Sequence, residues 1–223
     1  KNGITVYHKF WHNMISSDVE VSDPSFENKI TSFIQKSLNK DIMNIIPKRI
    51  YQVWMQGNGN ENIKNNVMLF NAGYQYSFFN EKSCYKYIQD HFDKNIADVF
   101  TNLKNPAHKC DLFRYCLLYR EGGIYIDYDL RMNVSLDTMI QQSNYSEFIT
   151  SIGAHSNNRF GECTNGFIFT NTENPIFLQL INHIVNTPNP SDYGNYVKDL
   201  YNKLNNPNPF QSFIINNVKT YLF

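Results

Sequence analysis

Two aspartates separated by one residue, Asp127 and Asp129, follow an apolar run Ile124-Tyr125-Ile126. On a strand, side chains at i and i+2 point to the same face, about 6.6–7 Å apart along the chain. Two like charges held that close repel unless a cation or a proton intervenes. Hard divalent cations bind carboxylate oxygens together with substrate phosphates. The pair, read as the end of a strand spanning Ile124–Leu130, therefore has the chemistry to hold Mn²⁺ or Mg²⁺ against a diphosphate. By itself an Asp-x-Asp is a weak signal, because two aspartates can also simply solvate a strand terminus.

A second polar pair precedes it. Asp111 and Arg114 are spaced i, i+3, which puts them on one face of a helix. They can form an ordinary intrahelical ion pair. They also have the chemistry to grip a hexose, with Asp111 accepting hydrogen bonds from sugar hydroxyls and Arg114 donating from a rigid fork. The short Gly122-Gly123 link makes this helix and the acidic strand end neighbours.

The elements that must position these groups follow from caps and periodicity. Asn105-Pro106 opens a helix that runs to Glu121 and stops at Gly122-Gly123. Arg49–Trp54 is a β-rich run that ends in the turn Gly57-Asn58-Gly59-Asn60, followed by a helix over Glu61–Phe70. Tyr74, Tyr76 and Phe78 alternate with polar residues as on a half-buried strand. Helices are predicted at about 81–92 and 94–103, strands at Phe148–Ile152 and Phe167–Thr170, and a helix from Asn174-Pro175 to about Val185. The tail, with Pro188, Pro190, Pro207 and Pro209, reads as loops alternating with short helices. Residues 1–46, with Phe26, Ile30, Phe33, Ile34 and Leu38 at helical spacing after Asp23-Pro24, read as a helical appendage. Residues 47–223 read as an α/β domain with a largely parallel sheet, which binds ligands at the carboxyl ends of its strands.

Composition narrows the function classes. Of 223 residues, 42% are hydrophobic, enough for a packed core rather than disorder. Lys+Arg and Asp+Glu are equal at 20 each, so no basic excess favours nucleic acid. No run approaches the ~20 apolar residues of a membrane span. The four cysteines, Cys84, Cys110, Cys116 and Cys163, form no CxxC pair. They read as free thiols in a reducing compartment, which favours the cytoplasm, with a Golgi lumen as the alternative if an anchor has been removed.

The stretch Ala107-His108-Lys109-Cys110-Asp111-Leu112-Phe113-Arg114-Tyr115, followed by Leu118 to Glu121 and Gly122-Gly123-Ile124-Tyr125-Ile126-Asp127-Tyr128-Asp129, resembles the sugar-binding DxD region of a glycosyltransferase family. That family includes yeast-type initiating mannosyltransferases and, more distantly, the catalytic domains of clostridial glucosylating toxins. Its pattern is A-x-x-x-D-x-x-R, a helix, then G-G-x-Y-x-D-x-D. Ile46-Pro47-Lys48-Arg49-Ile50-Tyr51-Gln52-Val53-Trp54 resembles the family's opening strand, with Tyr51 where His is common. Ala72–Phe79 resembles the next strand, and Asn165-Gly166 with Asn174-Pro175 a looser later block.

The resemblance implies a GT-A fold, a Rossmann-like α/β sandwich. It also implies a metal-dependent hexosyl transfer, with retention, from a nucleotide-diphosphate sugar to a glycan, protein or lipid hydroxyl. UDP-sugar is the favoured donor and GDP-sugar the second. It implies that Val53 and Trp54 border the nucleobase, Asp111 and Arg114 hold the donor sugar, and Tyr125 packs near the nucleotide. Asp127 contacts ribose or sugar and reaches the metal, Asp129 is the direct metal ligand, and Asn165 stands at the reacting face. The residues after Pro209 hold no counterpart of the family's further metal or diphosphate ligand; His155 and His183 could substitute for it. A nucleotide-sugar or glycan-binding protein with little or no turnover is the alternative reading.

Overall fold

The computed structural model of the chain describes residues 46–143, 145–155, 159–190, 212–215 and 218–222, with side chains at 46–143, 145–150 and 165–190. The appendage expected at residues 1–46, with its helix over 23–38, lies outside the described residues except for Ile46.

Seven strands form one mixed sheet in the order β2-β1-β3-β5-β4-β7-β6. They are β1 (Arg49–Val53), β2 (Gln75–Phe79), β3 (Gly123–Ile126), β4 (Phe148–His155), β5 (Arg159–Thr170), β6 (Ser212–Ile215) and β7 (Val218–Leu222). β1 is parallel to both β2 and β3. β5 is antiparallel to β3 and to β4. β7 is parallel to β4 and antiparallel to β6. The expected largely parallel sheet is therefore corrected to a mixed one. Strands joined by a short connection, as β4/β5 and β6/β7 are, can pair only antiparallel, whereas a parallel pair needs a long crossover. The tail expectation is corrected with it, because Ser212–Ile215 and Val218–Leu222 are strands rather than short helices.

Six helices surround the sheet among the described residues: α1 (Glu61–Leu69), α2 (Glu81–His91), α3 (Lys94–Asn102), α4 (Pro106–Glu121), α5 (Leu136–Gln142) and α6 (Pro175–Asn186). Side-chain alternation divides the core between the two faces. Tyr51, Val53, Tyr125 and Ile168 pack with Phe113, Leu117 and Phe177 of α4 and α6. Ile50, Ile124, Ile126 and Phe169 pack with Val67 of α1 and Leu136 of α5. Each such side chain, fully buried, contributes roughly 1.5–3 kcal/mol.

The central helix is α4. Asn105 caps it by accepting from the Ala107 amide, and Pro106 starts it where no backbone donor is needed. Every residue from Asp111 to Leu118 is buried, including the charged pair. It ends at Gly122, φ +59°, where the amide donates to the Leu118 carbonyl. A Cβ on Gly122 would come 2.8 Å from the Thr172 nitrogen, and one on Gly123 (φ +94°) 2.8 Å from the Arg49 oxygen. Both positions therefore demand glycine for conformation and for space. That tight link carries the chain from α4 into β3, between β1 and β5.

Candidate functional site

The site lies where β3 runs out. The strand ends at Ile126, and Asp127-Tyr128-Asp129 turns away from the sheet, closed by the Leu130 amide donating to the Asp127 carbonyl at 3.1 Å. The expectation of a strand through Leu130, with both aspartates on one strand face, is corrected here. A closed turn replaces the period-2 alternation, so the spacing of the two carboxylates is set by the turn.

The Asp127 backbone is pinned from both neighbours. Its amide donates to the Gly166 carbonyl of β5 at 2.7 Å. Its carbonyl accepts from the side-chain amide of Gln52 on β1 at 3.3 Å, and the Gln52 oxygen accepts from the Tyr76 hydroxyl at 3.0 Å. Gln52 is fully buried. The Asp127 carboxylate accepts from the Tyr125 hydroxyl at 2.9 Å and lies 3.3 Å from the Arg114 guanidinium. Its other oxygen rests on Gly166, where a Cβ would come within 2.3 Å.

Arg114 is the hub of the cluster. It is 4% exposed. Its Nε donates to the Cys110 carbonyl at 3.4 Å, and its Nη1 donates to the Asn165 carbonyl. Its Nη2 lies 3.3 Å from Asp111. The guanidinium stacks 4.3 Å from the centre of the Tyr125 ring. The Asn165 amide donates to Asp111 at 2.7 Å and to the Tyr115 hydroxyl at 3.2 Å. Burial works against the Arg114 charge, yet Asp127, Tyr125 and Asp111 hold the group well above its ordinary range. Burial also raises the Asp111 carboxyl, opposed by Arg114. Burial, with Asp127 beside it, holds the Tyr125 phenol protonated, well above its ordinary range.

These groups back an open cavity of about 370 Å³. Arg114, Tyr125, Asp127 and Asp129 line it together with Val53 and Trp54. Trp54 is 41% exposed, so it serves the cavity wall and not the core. Asp129 is exposed and, among the described residues, its carboxylate makes no hydrogen bond or ion pair. Asp111 and Asn165 are buried behind Arg114 and are not among the described residues that line the cavity.

The residues singled out in the sequence are thus brought together in two layers. Val53, Trp54, Arg114, Tyr125, Asp127 and Asp129 face the cavity, and Asp111 with Asn165 supports Arg114 from behind. Of the two imidazoles considered, His183 sits in the last turn of α6, away from the cavity. The His155 side chain is outside the described residues.

Sequence reasoning passed over Gln52, Tyr115 and Tyr128. A glutamine within the buried run Ile50–Val53 is the signal that could have found the first. Cys110 also lines the cavity; it is a free thiol, and burial pushes it up to about 12. Cys84 and Cys116 are free and buried, as expected.

A divalent cation suits this donor set. Arg114 is shared between Asp111 and Asp127, and among the described residues Asp129 has no cationic partner, so the site is short of positive charge. Among the described residues no three His, Cys, Asp or Glu side chains converge. A bound ion would therefore complete its shell with diphosphate oxygens and water, as Mg²⁺ commonly does.

The Gly166 contact makes a direct prediction. Gly166→Ala is expected to displace the Asp127 carboxylate and lower kcat/KM by about 10- to 100-fold, since an ångström of misplacement can cost that much. Steady-state kinetics beside a thermal melt would check it. Unchanged turnover would mean that the Asp127 position is not critical.

Residues 57–146 match the family described as glycosyltransferase sugar-binding region containing DXD motif. The chain is 25% identical over 138 residues to an uncharacterized glycosyltransferase, L373, of Acanthamoeba polyphaga mimivirus, covering 60% of this chain and 53% of that protein. It is 25% identical over 108 residues to the initiation-specific alpha-1,6-mannosyltransferase of Saccharomyces cerevisiae, covering 44% of this chain and 22% of that protein. The chain thus spans about half or less of the length of these relatives. Among solved structures, the PaToxG glycosyltransferase superposes with a TM-score of 0.51 at 15% identity, over 81% of this chain and 80% of that one. The shared feature is the GT-A α/β fold.

Proposed function

From a chain that carries, at residues 57–146, the DXD-containing sugar-binding region of a glycosyltransferase, we propose the transfer of a hexose from a nucleotide-diphosphate sugar to a hydroxyl acceptor, assisted by Mn²⁺ or Mg²⁺. UDP-sugar is the favoured donor, GDP-sugar the second, and the reaction retains anomeric configuration. The observation that carries this reading is one cavity lined by the exposed Trp54 ring, the Arg114 guanidinium and the uncommitted Asp129 carboxylate. A nucleoside diphosphate offers partners to each of these, a flat base and a charged tail.

Val53 and Trp54 border the base in this scheme. Asp129 is the direct metal ligand, and Asp127 contributes the carboxylate oxygen not used by Tyr125 and Arg114. The metal, when bound, supplies Lewis-acid neutralisation of charge on the departing diphosphate. Arg114 carries five N–H donors, and four have partners at Cys110, Asn165, Asp127 and Asp111. One remains for the donor sugar or a phosphate oxygen. Asp111 and Asn165 act through Arg114 by fixing its plane, which lowers the entropic share of the barrier. Asn165 holds Arg114 from behind through its carbonyl and Asp111 through its side-chain amide.

Thermal melts with Mn²⁺ and a panel of nucleotide-sugars test the reading. A donor at about 100 times its Kd stabilises the folded state by about 2.7 kcal/mol, or roughly 5–10 °C for a chain of this size. Release of free nucleoside diphosphate by the donor that gives the shift completes the expected result. No shift with any UDP- or GDP-sugar, and no release, would overturn it. The second reading is a nucleotide-sugar-binding protein with little turnover. It draws on the presence of only two converging carboxylates among the described residues and predicts a shift without release.

A further inference from the structure

We infer that Tyr128, the residue between the two aspartates, is a positioning residue that fastens the β1–α1 connection onto the acidic turn and so fixes the aspartates for the metal. The inference rests on the functional reading above and assigns the residue that sets its metal end.

The contacts of Tyr128 all lead away from β3. Its ring stacks on Trp54 at the end of β1, with centroids 5.5 Å apart and planes 25° apart. It packs against Phe78 of β2 at 5.6 Å. Its hydroxyl accepts from the Asn60 amide at 2.5 Å. Asn60 is the N-cap of α1, its side chain being occupied by the Asn62 amide. One residue thus closes the base of α1 over the turn that carries Asp127 and Asp129.

α1 continues the same fastening further along. Asn66 pairs with both backbone groups of Met132, accepting from its amide at 2.9 Å and donating to its carbonyl at 3.4 Å. Asn71 accepts from the Leu136 amide at 2.8 Å. The segment from the aspartates to α5 is held at three points, by the N-cap of α1, by Asn66 within it and by Asn71 just beyond its end, and Tyr128 is the point nearest the carboxylates. Because Tyr128 lines the cavity and is only half-buried, its ring is held by directional contacts and not by core packing. Losing those contacts is expected to loosen the turn without unfolding the domain.

Two measurements test this on the intact chain. The first is hydrogen exchange at the Asn60 amide in the ligand-free protein. Tyr128→Phe keeps the ring and removes the acceptor, so protection at Asn60 should fall about tenfold with an unchanged melting temperature. The second is Mn²⁺ affinity, read from the electron paramagnetic resonance of free Mn²⁺. Tyr128→Ala should weaken it about tenfold, within the range typical of coupling between sites, and Tyr128→Phe should recover most of the loss. Unchanged exchange at Asn60 in Tyr128→Phe overturns the fastening. Equal Mn²⁺ affinity in wild type and Tyr128→Ala overturns the positioning role. A wild-type chain that binds neither Mn²⁺ nor UDP is a separate result, which removes the functional reading and this inference together.

Discussion

Asp129→Asn is expected to lower metal-dependent turnover by on the order of 10²–10³-fold, the usual cost of deleting one stabiliser of transition-state charge. The melting temperature should hardly change. Asp129 is exposed on a turn, and its carboxylate supports nothing in the ligand-free fold. Removing one of the two carboxylates of the acidic turn also relieves repulsion. The asparagine keeps the shape and loses the charge, so the comparison isolates the electrostatic part. Kinetics across a Mn²⁺ titration would show the loss as a lower plateau, a weaker metal requirement, or both. Wild-type turnover in Asp129→Asn would remove the metal role from this residue.

Arg114 should behave in the opposite way, failing in stability as well as in activity. It lies buried between Asp111 and Asp127 and stacks on Tyr125. Arg114→Ala leaves a buried carboxyl group at Asp111 without its counter-charge. Breaking a buried pair from one side costs about 3–5 kcal/mol, which for a chain of this size corresponds to a drop in Tm on the order of 10 °C. Arg114→Lys restores a charge but not the planar fork that reaches Cys110, Asn165, Asp127 and Asp111 together. It is expected to recover part of the stability and little of the turnover. Full recovery of turnover by lysine would show that only a point charge is needed.

The contrast between these two residues shows what a sequence can reveal about such a site. The helix from Pro106 to Glu121 was legible to its ends, because its cap, its proline and its terminating glycines are local chemistry. The adjacency of Asp111, Arg114 and the aspartates was legible too, since Gly122-Gly123 leaves α4 no room to lie far from β3. Depth was not legible. Asp111 and Arg114 share a helix face, but whether that face meets a cavity or the interior depends on β5. Its contribution at Asn165-Gly166 comes from some 50 residues away.

The acidic turn was read as strand because two apolar residues and alternating polarity continue the period-2 pattern of β3. The hydrogen bond from Leu130 back to Asp127 has no sequence signature as distinct as a glycine or a proline. The β6/β7 pair was missed for another reason. Ser212–Ile215 and Val218–Leu222 are two β-prone runs separated by Asn216-Asn217, a turn-forming dipeptide, but the prolines at 207 and 209 drew the reading toward loops.

The Tyr76–Gln52–Asp127 chain of hydrogen bonds has a consequence for folding. β1 and β3 share only two paired positions, Ile50 with Ile124 and Tyr51 with Tyr125, so the ladder alone discriminates poorly between alignments. A slip of one residue between β1 and β3 would carry the Asp127 carbonyl out of reach of the Gln52 amide and strand that buried donor, a penalty of about 1–3 kcal/mol. The buried glutamine therefore acts as a proofreader of strand alignment: a misaligned sheet loses its polar seam and, with it, the correct placement of the acid at 127.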